Sequence, residues 1–175
     1  MDVEPFDPAL HDRSSFLSGV STVDNYLQKT ANKLANADNV RIFVMTPGDG
    51  TIVGYYALNA HAVSHSELPG SFARNRPAHG DIPAVFIAMM GIDRRYAGKG
   101  YGSALLADAL KRVERAGREV GIAVAVLDVL DCGDPDLVAR RLKFYTMFGF
   151  SPFAGQAFRL FLPVRTIRET LVGKE

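Results

Sequence analysis

The sequence predicts an α/β fold in which a mixed central sheet of about six strands is flanked by about four helices. Two continuous apolar runs, residues 85–92 and 122–129, have the composition of central strands that are covered on both faces. The amphipathic segment between them, residues 102–120, has the period of a helix and completes a strand-helix-strand unit.

The N-terminal part of the chain predicts two helices. Asp7-Pro8 has the form of an N-cap followed by a proline in the first turn, which predicts a short helix to about Phe16. Ser21 resembles the first residue of a capping box, and the apolar residues that follow recur at helical spacing. They predict a second helix to about Ala35.

A hairpin and a long connection are predicted next. Residues 40–46 and 51–63 are rich in strand-forming residues and are separated by a Pro-Gly-Asp-Gly turn cluster, so they predict two antiparallel strands. Residues 64–81 are polar, contain two prolines and have neither the helical nor the strand period. A connection of this length in a compact domain is usually functional or disordered.

The C-terminal part predicts one more helix and two closing strands. Asp134-Pro135 repeats the signature of an N-cap and a first-turn proline, and the helix is expected to run to Phe148. Residues 150–153 and 157–164 predict the two strands, and a short polar tail follows them.

Length and composition favour a single domain, residues 1–175. No apolar run approaches the about 18 residues that cross a membrane, and no secretory leader is recognised. The single cysteine, Cys132, has no partner for a disulfide or a zinc site, which favours a cytoplasmic protein. The net charge of +1 argues against a uniformly basic nucleic-acid binder but allows a local basic patch.

The glycine-rich segment 95–103 lies between a predicted strand and a predicted helix. The first amides of a helix have no internal partner and carry partial positive charge, so a junction of this kind binds anions. Its three glycines have no Cβ that would keep a diphosphate away from these amides, and Arg95 and Lys99 add positive charge. An ordinary glycine-rich turn is the alternative.

The spacing Arg95-x-x-Gly98-x-Gly100 fits neither the dinucleotide fingerprint nor the P-loop. It resembles the pyrophosphate loop of the GCN5-related N-acetyltransferases, the GNAT family, and the predicted order of elements is that of the GNAT fold. The resemblance implies acetyl-CoA as the cofactor and no metal, with main-chain contacts from the strand before the loop. The implied cofactor-binding residues are Met90, Gly91, Ile92, Arg95, Gly98, Lys99, Gly100, Tyr101, Gly102, Ser103 and Phe144.

Residues 144–150 resemble the F-Y-x-x-x-G-F segment of the same family, whose tyrosine acts as a general acid on the coenzyme sulfur. A phenol has a pKa of about 10 and a thiol one of about 8.5, so Tyr145 would be protonated at neutral pH and able to donate. The alternative is that Tyr145 belongs to an apolar helix stripe with Val138 and Leu142 and serves only the core.

A general base is harder to identify. The predicted strand before the loop, residues 85–92, carries no carboxylate, and the first one after it, Asp93, could instead cap the turn. Glu67 and Asp128 remain candidate helpers. An α-amine has a pKa of about 7.7 to 8.0 and is already partly neutral, so the missing base favours an acceptor of this kind over lysine. His61 and His65 lie at a strand end and in a loop, where their spacing predicts no metal site.

A narrower resemblance is to the GNAT toxins of bacterial toxin-antitoxin pairs. It is carried by residues 16–19, 23–27, 68–69, 76–77, 82–83 and 90–94. These toxins acetylate the α-amine of aminoacyl-tRNA and stop translation, so the resemblance implies that substrate, a ribbon-helix-helix antitoxin as partner, and a homodimer. Two features depart from the pattern: the connection at residues 130–136 is longer than usual, and Ser18 replaces a more usual cysteine.

A tRNA substrate requires positive surface near the site of reaction. Basic residues on exposed faces often serve only to solvate the protein, which is the alternative for each candidate. The candidates for contacts with tRNA are Arg74, Arg76, Arg94, Arg140, Arg141 and Lys143.

Two other functions remain open from the sequence. One is an N-acetyltransferase for a small-molecule or protein amine without a toxin role. The other is a module that binds acetyl-CoA or a partner and transfers nothing.

Overall fold

The computed structural model describes residues 1–72, 74, 77, 78 and 80–172. Within these residues, one sheet has its strands in the order β1-β2-β3-β4-β5-β7-β6. The strands are β1 (Asp2–Pro5), β2 (Arg41–Thr46), β3 (Gly54–Ser64), β4 (Asp81–Ile92), β5 (Val124–Asp128), β6 (Ser151–Phe153) and β7 (Gln156–Pro163). The predicted fold class is confirmed. The sheet has seven strands rather than about six, because β1 is only four residues long and contains one strand-forming residue, Val3, which is too little to predict a strand.

Helices occupy most of the predicted positions. They are α1 (Ser21–Asn25), α2 (Ala31–Asn36), α3 (Tyr101–Glu119), α4 (Pro135–Met147) and α5 (Val164–Val172). A π-helical turn, Tyr26–Thr30, joins α1 to α2, so the helix predicted from Ser21 is continuous in sequence but changes its hydrogen-bond pattern in the middle. The polar tail is helical as α5.

The prediction of a short helix from Asp7 to about Phe16 is wrong, because this segment forms turns. The carboxylate of Asp7 accepts a hydrogen bond from the Ala9 amide at 2.8 Å, which closes a local turn instead of capping a helix. Nε2 of His11 lies 2.8 Å from Oε1 of Glu4, and its Nδ1 lies 2.9 Å from the Asp7 amide nitrogen. These contacts tie the segment back to β1 as a turn.

The chain separates into two compact units. Unit 1 comprises residues 1–59 and 87–109, and unit 2 comprises residues 60–86 and 110–175. The strands β3 and β4 and the helix α3 contribute residues to both. The single domain expected from the sequence stays a prediction.

The apolar core of unit 1 fixes the start of α3. The strands β2 and β3 form the predicted hairpin, in which Phe43 pairs with Tyr56. Side chains of this hairpin and of α3 meet in a cluster whose buried members are Met45, Val53, Tyr56, Leu105 and Ala109. Because Leu105 and Ala109 are fully buried here, the first two turns of α3 hold a fixed position, and with them the loop that precedes the helix.

Unit 2 has its own core around the antiparallel pair β5–β7, in which Val126 faces Phe161. The buried residues of this cluster are Val63, Leu68, Ile82, Ala84, Val124, Val126, Phe153 and Phe161. The buried Glu114 of α3 accepts hydrogen bonds from Nε of Arg118 at 2.8 Å and Nε of Arg168 at 3.0 Å. This charged contact joins α3 to α5.

Gly91 is expected to be intolerant of a side chain. An ideal Cβ at this position would lie 2.4 Å from Cγ1 of Val23, and valine has little rotamer freedom with which to withdraw. Gly91→Ala should therefore lower the free energy of unfolding by about 1–3 kcal/mol in urea denaturation. In the control Gly70→Ala the added Cβ meets nothing within 4 Å, so equal losses in the two variants would contradict the packing argument.

Candidate active site

The loop after β4 has the open backbone that the sequence predicts. Its glycines Gly98 and Gly100 have φ angles of +75° and +81°, in the left-handed region that favours glycine. An ideal Cβ at either position would meet nothing within 4 Å. The space beside this backbone is therefore accessible to a ligand.

The amides of this loop are available for hydrogen bonding. Across the described chain, the backbone amides of residues 98–102 donate to no protein acceptor. The amides of Ser103 and Ala104 donate to the Gly100 carbonyl oxygen at 3.1 and 3.3 Å, where the helix begins. Five unsatisfied amides at the N-terminus of a 19-residue helix fit a diphosphate, whose oxygens accept several hydrogen bonds.

The carboxylate of Asp93 lies at the start of the loop and is fully buried. It accepts hydrogen bonds from the Leu17 amide at 3.0 Å and from the Arg95 amide, Nε and Nη2, each at 2.9 Å. Burial by itself raises the pKa of Asp93, but the hydrogen bonds and charge of Arg95 outweigh it, so the net pKa is lowered. Asp93 therefore caps the turn, and the Arg95 guanidinium is engaged within the protein.

Lys99 remains as an exposed cation of the loop. Its Nζ lies 5.5 Å from the centre of the Tyr96 ring, and the Arg95 guanidinium carbon lies 5.7 Å from the same ring. Tyr96 in turn meets Tyr101 edge to face at 6.4 Å. Both positive charges thus stay near the loop, held over one aromatic ring.

The strand segment 90–92 enters the loop from β4. Met90 and Ile92 pack against the buried cluster of unit 1, while Gly91 faces Val23 and its neighbours. All three are partly exposed, as main-chain contacts to a ligand require. The expected coenzyme contacts of this segment stay a prediction.

The candidate acid, Tyr145, lies in the last turn of α4. This helix begins as predicted, since the Asp134 carboxylate accepts hydrogen bonds from the Asp136 and Leu137 amides at 3.0 and 3.1 Å. The Tyr145 ring is partly buried and meets Phe144 edge to face at 5.2 Å and Phe150 at 6.0 Å. These two rings form a cage that restricts the orientation of the Tyr145 ring.

The phenol of Tyr145 is in its neutral form at physiological pH. Burial raises its pKa above the ordinary value of 10.0, and the positive charge of Arg141 opposes this shift without reversing it. No hydrogen bond involves its hydroxyl among the described residues. A neutral hydroxyl of this kind can donate a proton to a ligand.

The basic residues expected to contact tRNA have different surroundings. Arg74 and Arg94 are exposed in turns, and Arg76 lies outside the described residues. Arg140 and Lys143 are exposed on α4. Arg141 is partly buried, where its Nη1 donates to the Leu130 carbonyl oxygen at 2.8 Å and lies 3.4 Å from Sγ of Cys132. Its guanidinium therefore also holds the long connection before α4.

Unit 2 contains a polar cluster that the sequence analysis did not predict. Arg159 of β7 donates from Nη2 to Nε2 of His61 at 2.8 Å and from Nη1 to Oδ2 of Asp128 at 3.5 Å. Its guanidinium carbon lies 5.8 Å from the Phe86 ring centre and 5.6 Å from that of Phe153. Arg159 has no sequence signal because its partners come from other strands, 98 and 31 residues away.

Neither histidine of the candidate pair is arranged for a metal. Nε2 of His61 accepts from Arg159, and Nδ1 of His65 lies 3.0 Å from the Gly80 carbonyl oxygen. In the part of the chain that the structure describes, no group of three or more His, Cys, Asp and Glu residues could hold a metal ion. The same residues include no helix that is both long and apolar enough to span a membrane.

This fold, with its open loop before a long helix, is that of a coenzyme A-dependent acyltransferase. The chain belongs to the acetyltransferase (GNAT) family, which it matches over residues 9–150.

Two curated relatives match almost the whole chain. "Probable toxin TacT" of Sinorhizobium fredii (strain NBRC 101917 / NGR234) is 49% identical, with 97% of this chain and 94% of the relative covered. A "tRNA-acetylating toxin" of Mycobacterium tuberculosis (strain ATCC 25618 / H37Rv) is 38% identical, with 93% and 91% covered.

Solved structures of toxins share the fold. AtaT complexed with acetyl-methionyl-tRNAfMet has a TM-score of 0.83 and 26% identity, with 97% of this chain and 98% of that chain covered. AtaTR bound with acetyl-CoA has a TM-score of 0.79 and 25% identity, with 97% of each chain covered.

The buried Asp93 carboxylate should stabilise the protein in a pH-dependent way. Because its folded pKa is lowered, its contribution is present above the ordinary value of 3.8 and is lost as the pH falls through the folded pKa. Asp93→Asn should cost about 2 kcal/mol of unfolding free energy at pH 7, and the difference from wild type should shrink below pH 3.8.

Urea denaturation at a series of pH values measures this difference. Asp38→Asn is the matched control, because Asp38 also pairs with an arginine, Arg41, at 2.8 Å but exposes 81% of its side chain. The control should change stability by less than about 0.5 kcal/mol. A pH-independent loss in Asp93→Asn would contradict the assignment.

Proposed function

We propose that this chain is an acetyl-CoA-dependent N-acetyltransferase that acetylates the α-amine of aminoacyl-tRNA and thereby blocks translation. The observation that carries the proposal is the run of amides at residues 98–102, which donate to no acceptor in the described chain. The diphosphate of the coenzyme would satisfy them. The acceptor is supported by the two curated relatives, one named as a toxin and the other as a tRNA-acetylating toxin.

The coenzyme would supply an activated acetyl thioester. We propose that the loop amides bind its diphosphate, that Lys99 adds positive charge, and that backbone groups of residues 90–92 bind the pantetheine arm. Arg95 would act through Asp93, to which it donates three hydrogen bonds, and so keep the loop in shape. The further proposed contacts are Tyr101, Gly102, Ser103 and Phe144.

Tyr145 is proposed as the general acid. The departing thiolate is a base that a nearby neutral phenol can protonate. Support comes from its raised pKa and from a hydroxyl that makes no hydrogen bond within the described residues. The cage of Phe144 and Phe150 keeps the ring from turning away.

The α-amine of an aminoacyl ester needs little help from a base. A free α-amine has a pKa of about 7.7 to 8.0, and the ester bond lowers it further, so a large neutral fraction exists at neutral pH. The amine would attack the acetyl carbonyl carbon to form the carbon–nitrogen bond, and the carbon–sulfur bond would break. The amine proton would pass to solvent, and Tyr145 would regain from solvent the proton that it gave to the thiolate. Arg74, Arg94, Arg140, Arg141 and Lys143 are proposed to contact the tRNA backbone.

We place this activity in the cytoplasm, where charged tRNA is found, and propose that the two units form one catalytic domain. The protein would be the toxin half of a toxin-antitoxin pair, with a ribbon-helix-helix antitoxin as its partner, and would form a homodimer. The names of its relatives, both of which are toxins, support the proposed toxin role.

The direct test is mass spectrometry of bulk aminoacyl-tRNA after incubation with the protein and acetyl-CoA. We expect a gain of one acetyl group on the aminoacyl moiety of at least one tRNA. Acetylation of small amines or proteins but of no charged tRNA would overturn the substrate assignment. Binding of acetyl-CoA without transfer to any amine would overturn the enzymatic one.

Tyr145→Phe should remove the proton donor and leave the coenzyme site intact. We expect kcat to fall by about 10²- to 10⁴-fold, while the affinity for acetyl-CoA in calorimetry stays within a factor of two to three. Growth arrest on expression should be relieved in parallel. Full activity in the variant would exclude Tyr145 as the acid and assign it to the core of unit 2.

Gly100→Asp should weaken acetyl-CoA binding by at least about tenfold, because it places a side chain and a negative charge beside the diphosphate. Calorimetry of acetyl-CoA binding measures the effect. Gly155→Asp is the matched control: its φ of +73° is as unfavourable for aspartate as the +81° of Gly100, and it also has nothing within 4 Å of the added Cβ. Equal losses of affinity in the two variants would contradict the proposed site.

A further inference from the structure

The polar cluster around Arg159 lies on one face of the sheet in unit 2. Asp128 and Arg159 are directly opposite each other in the antiparallel register of β5 and β7, so their side chains extend from the same face. His61, on β3, reaches this face as well, because its Nε2 accepts from Arg159 at 2.8 Å. Its ring also packs on Phe86, with 5.3 Å between the ring centres.

The cluster fixes the Arg159 guanidinium from several sides. His61 and Asp128 contact its two terminal nitrogens, and the rings of Phe86 and Phe153 flank it. Burial and the positive charge of Arg159 lower the pKa of His61, so the imidazole is neutral and leaves Arg159 as the one cation of this cluster. A rigid cation of this kind can orient a neighbouring carboxylate.

Asp128 is the member of the cluster that a ligand can reach. It exposes 51% of its side chain, against 26% for Arg159. Its Oδ2 lies 3.5 Å from Arg159, a long contact, and its Oδ1 has no hydrogen-bond partner among the described residues. The carboxylate is therefore held in place while keeping most of its capacity to accept hydrogen bonds.

One hydrogen bond joins the chain just after Asp128 to the helix that carries Tyr145, within unit 2. Asp128 is the last residue of β5, and two residues later the Leu130 carbonyl oxygen accepts a hydrogen bond from Nη1 of Arg141 at 2.8 Å. Arg141 precedes Tyr145 by one turn of α4, and its charge acts on the Tyr145 phenol. The end of β5 and the candidate acid thus belong to one connected part of this unit.

An exposed carboxylate is unfavourable beside a polyanionic substrate unless it meets a positive group. On aminoacyl-tRNA, the α-amino group offers N–H donors in both of its protonation states, and it also carries positive charge in the fraction that arrives protonated and loses a proton to solvent before it reacts. We propose that Asp128 binds the α-amino group of the acceptor by accepting its N–H hydrogen bonds, with Arg159 and His61 as positioning residues. This inference rests on the proposed function, and Asp128 forms no covalent bond in it.

The test compares two ligands for the full-length protein with acetyl-CoA absent. One is an aminoacyl-tRNA that the wild type acetylates, and the other is the same tRNA charged with the corresponding α-hydroxy acid, which lacks the amine. Wild type should bind the aminoacyl form more tightly by about tenfold, and Asp128→Asn should bind both forms equally. Asp128→Glu, which keeps the carboxylate, should retain most of the preference.

Two more variants separate positioning from structure. Arg159→Lys keeps the charge but loses the two-sided contact with His61 and Asp128, so it should reduce the preference without changing affinity for the hydroxy-acid form. Asp136→Asn removes an equal charge from an exposed position on α4 and should change neither affinity.

The outcomes are distinct. If the wild type acetylates aminoacyl-tRNA but prefers the aminoacyl form over the hydroxy-acid form no more than Asp128→Asn does, this inference alone is overturned. Equal losses of affinity for both ligands in Asp128→Asn assign the residue a structural role and also overturn it. A wild type that acetylates no aminoacyl-tRNA overturns the proposed function instead.

Discussion

The buried carboxylate of Asp93 is the interaction on which the candidate coenzyme loop depends. It receives hydrogen bonds from two segments that are far apart in sequence, the Leu17 amide and the Arg95 backbone and side chain. Next to it, the Arg94 amide donates to the Leu17 carbonyl oxygen at 2.9 Å. A buried charge left unpaired is costly, so the turn at residues 93–95 has one favourable arrangement. The loop backbone that follows starts from this fixed point.

Backbone groups and side chains have separate tasks in the proposed chemistry. Amides of the loop would bind the coenzyme, and the glycines there leave the backbone open to it without supplying side-chain contacts. The proton transfer would rest on one caged phenol, which is neutral at physiological pH and whose pKa burial raises further. Recognition of the acceptor amine would rest on a carboxylate held by Arg159.

Sequence reasoning succeeded where the signal was local. Asp134-Pro135 predicts the start of α4, and its cap is present in the structure. It failed at Asp7-Pro8, where the same dipeptide forms a turn because His11 and Glu4 draw the segment back to β1. Contacts with residues elsewhere in the chain can override a local capping signal, and the few residues around the signal do not reveal those contacts. The edge strand β1 was missed for the same reason, since its pairing with β2 is non-local.

The sequence by itself determined the fold class, the glycine loop before α3 and the aromatic segment around Tyr145, because each depends on residues close together in the chain. Only the tertiary structure decided that Arg141 holds the Leu130 carbonyl and that Arg159 joins His61 to Asp128. The physical reason is that a long cationic side chain pairs with whichever acceptor folding brings within reach. That choice is made by strand register and helix packing, which link residues up to 98 positions apart.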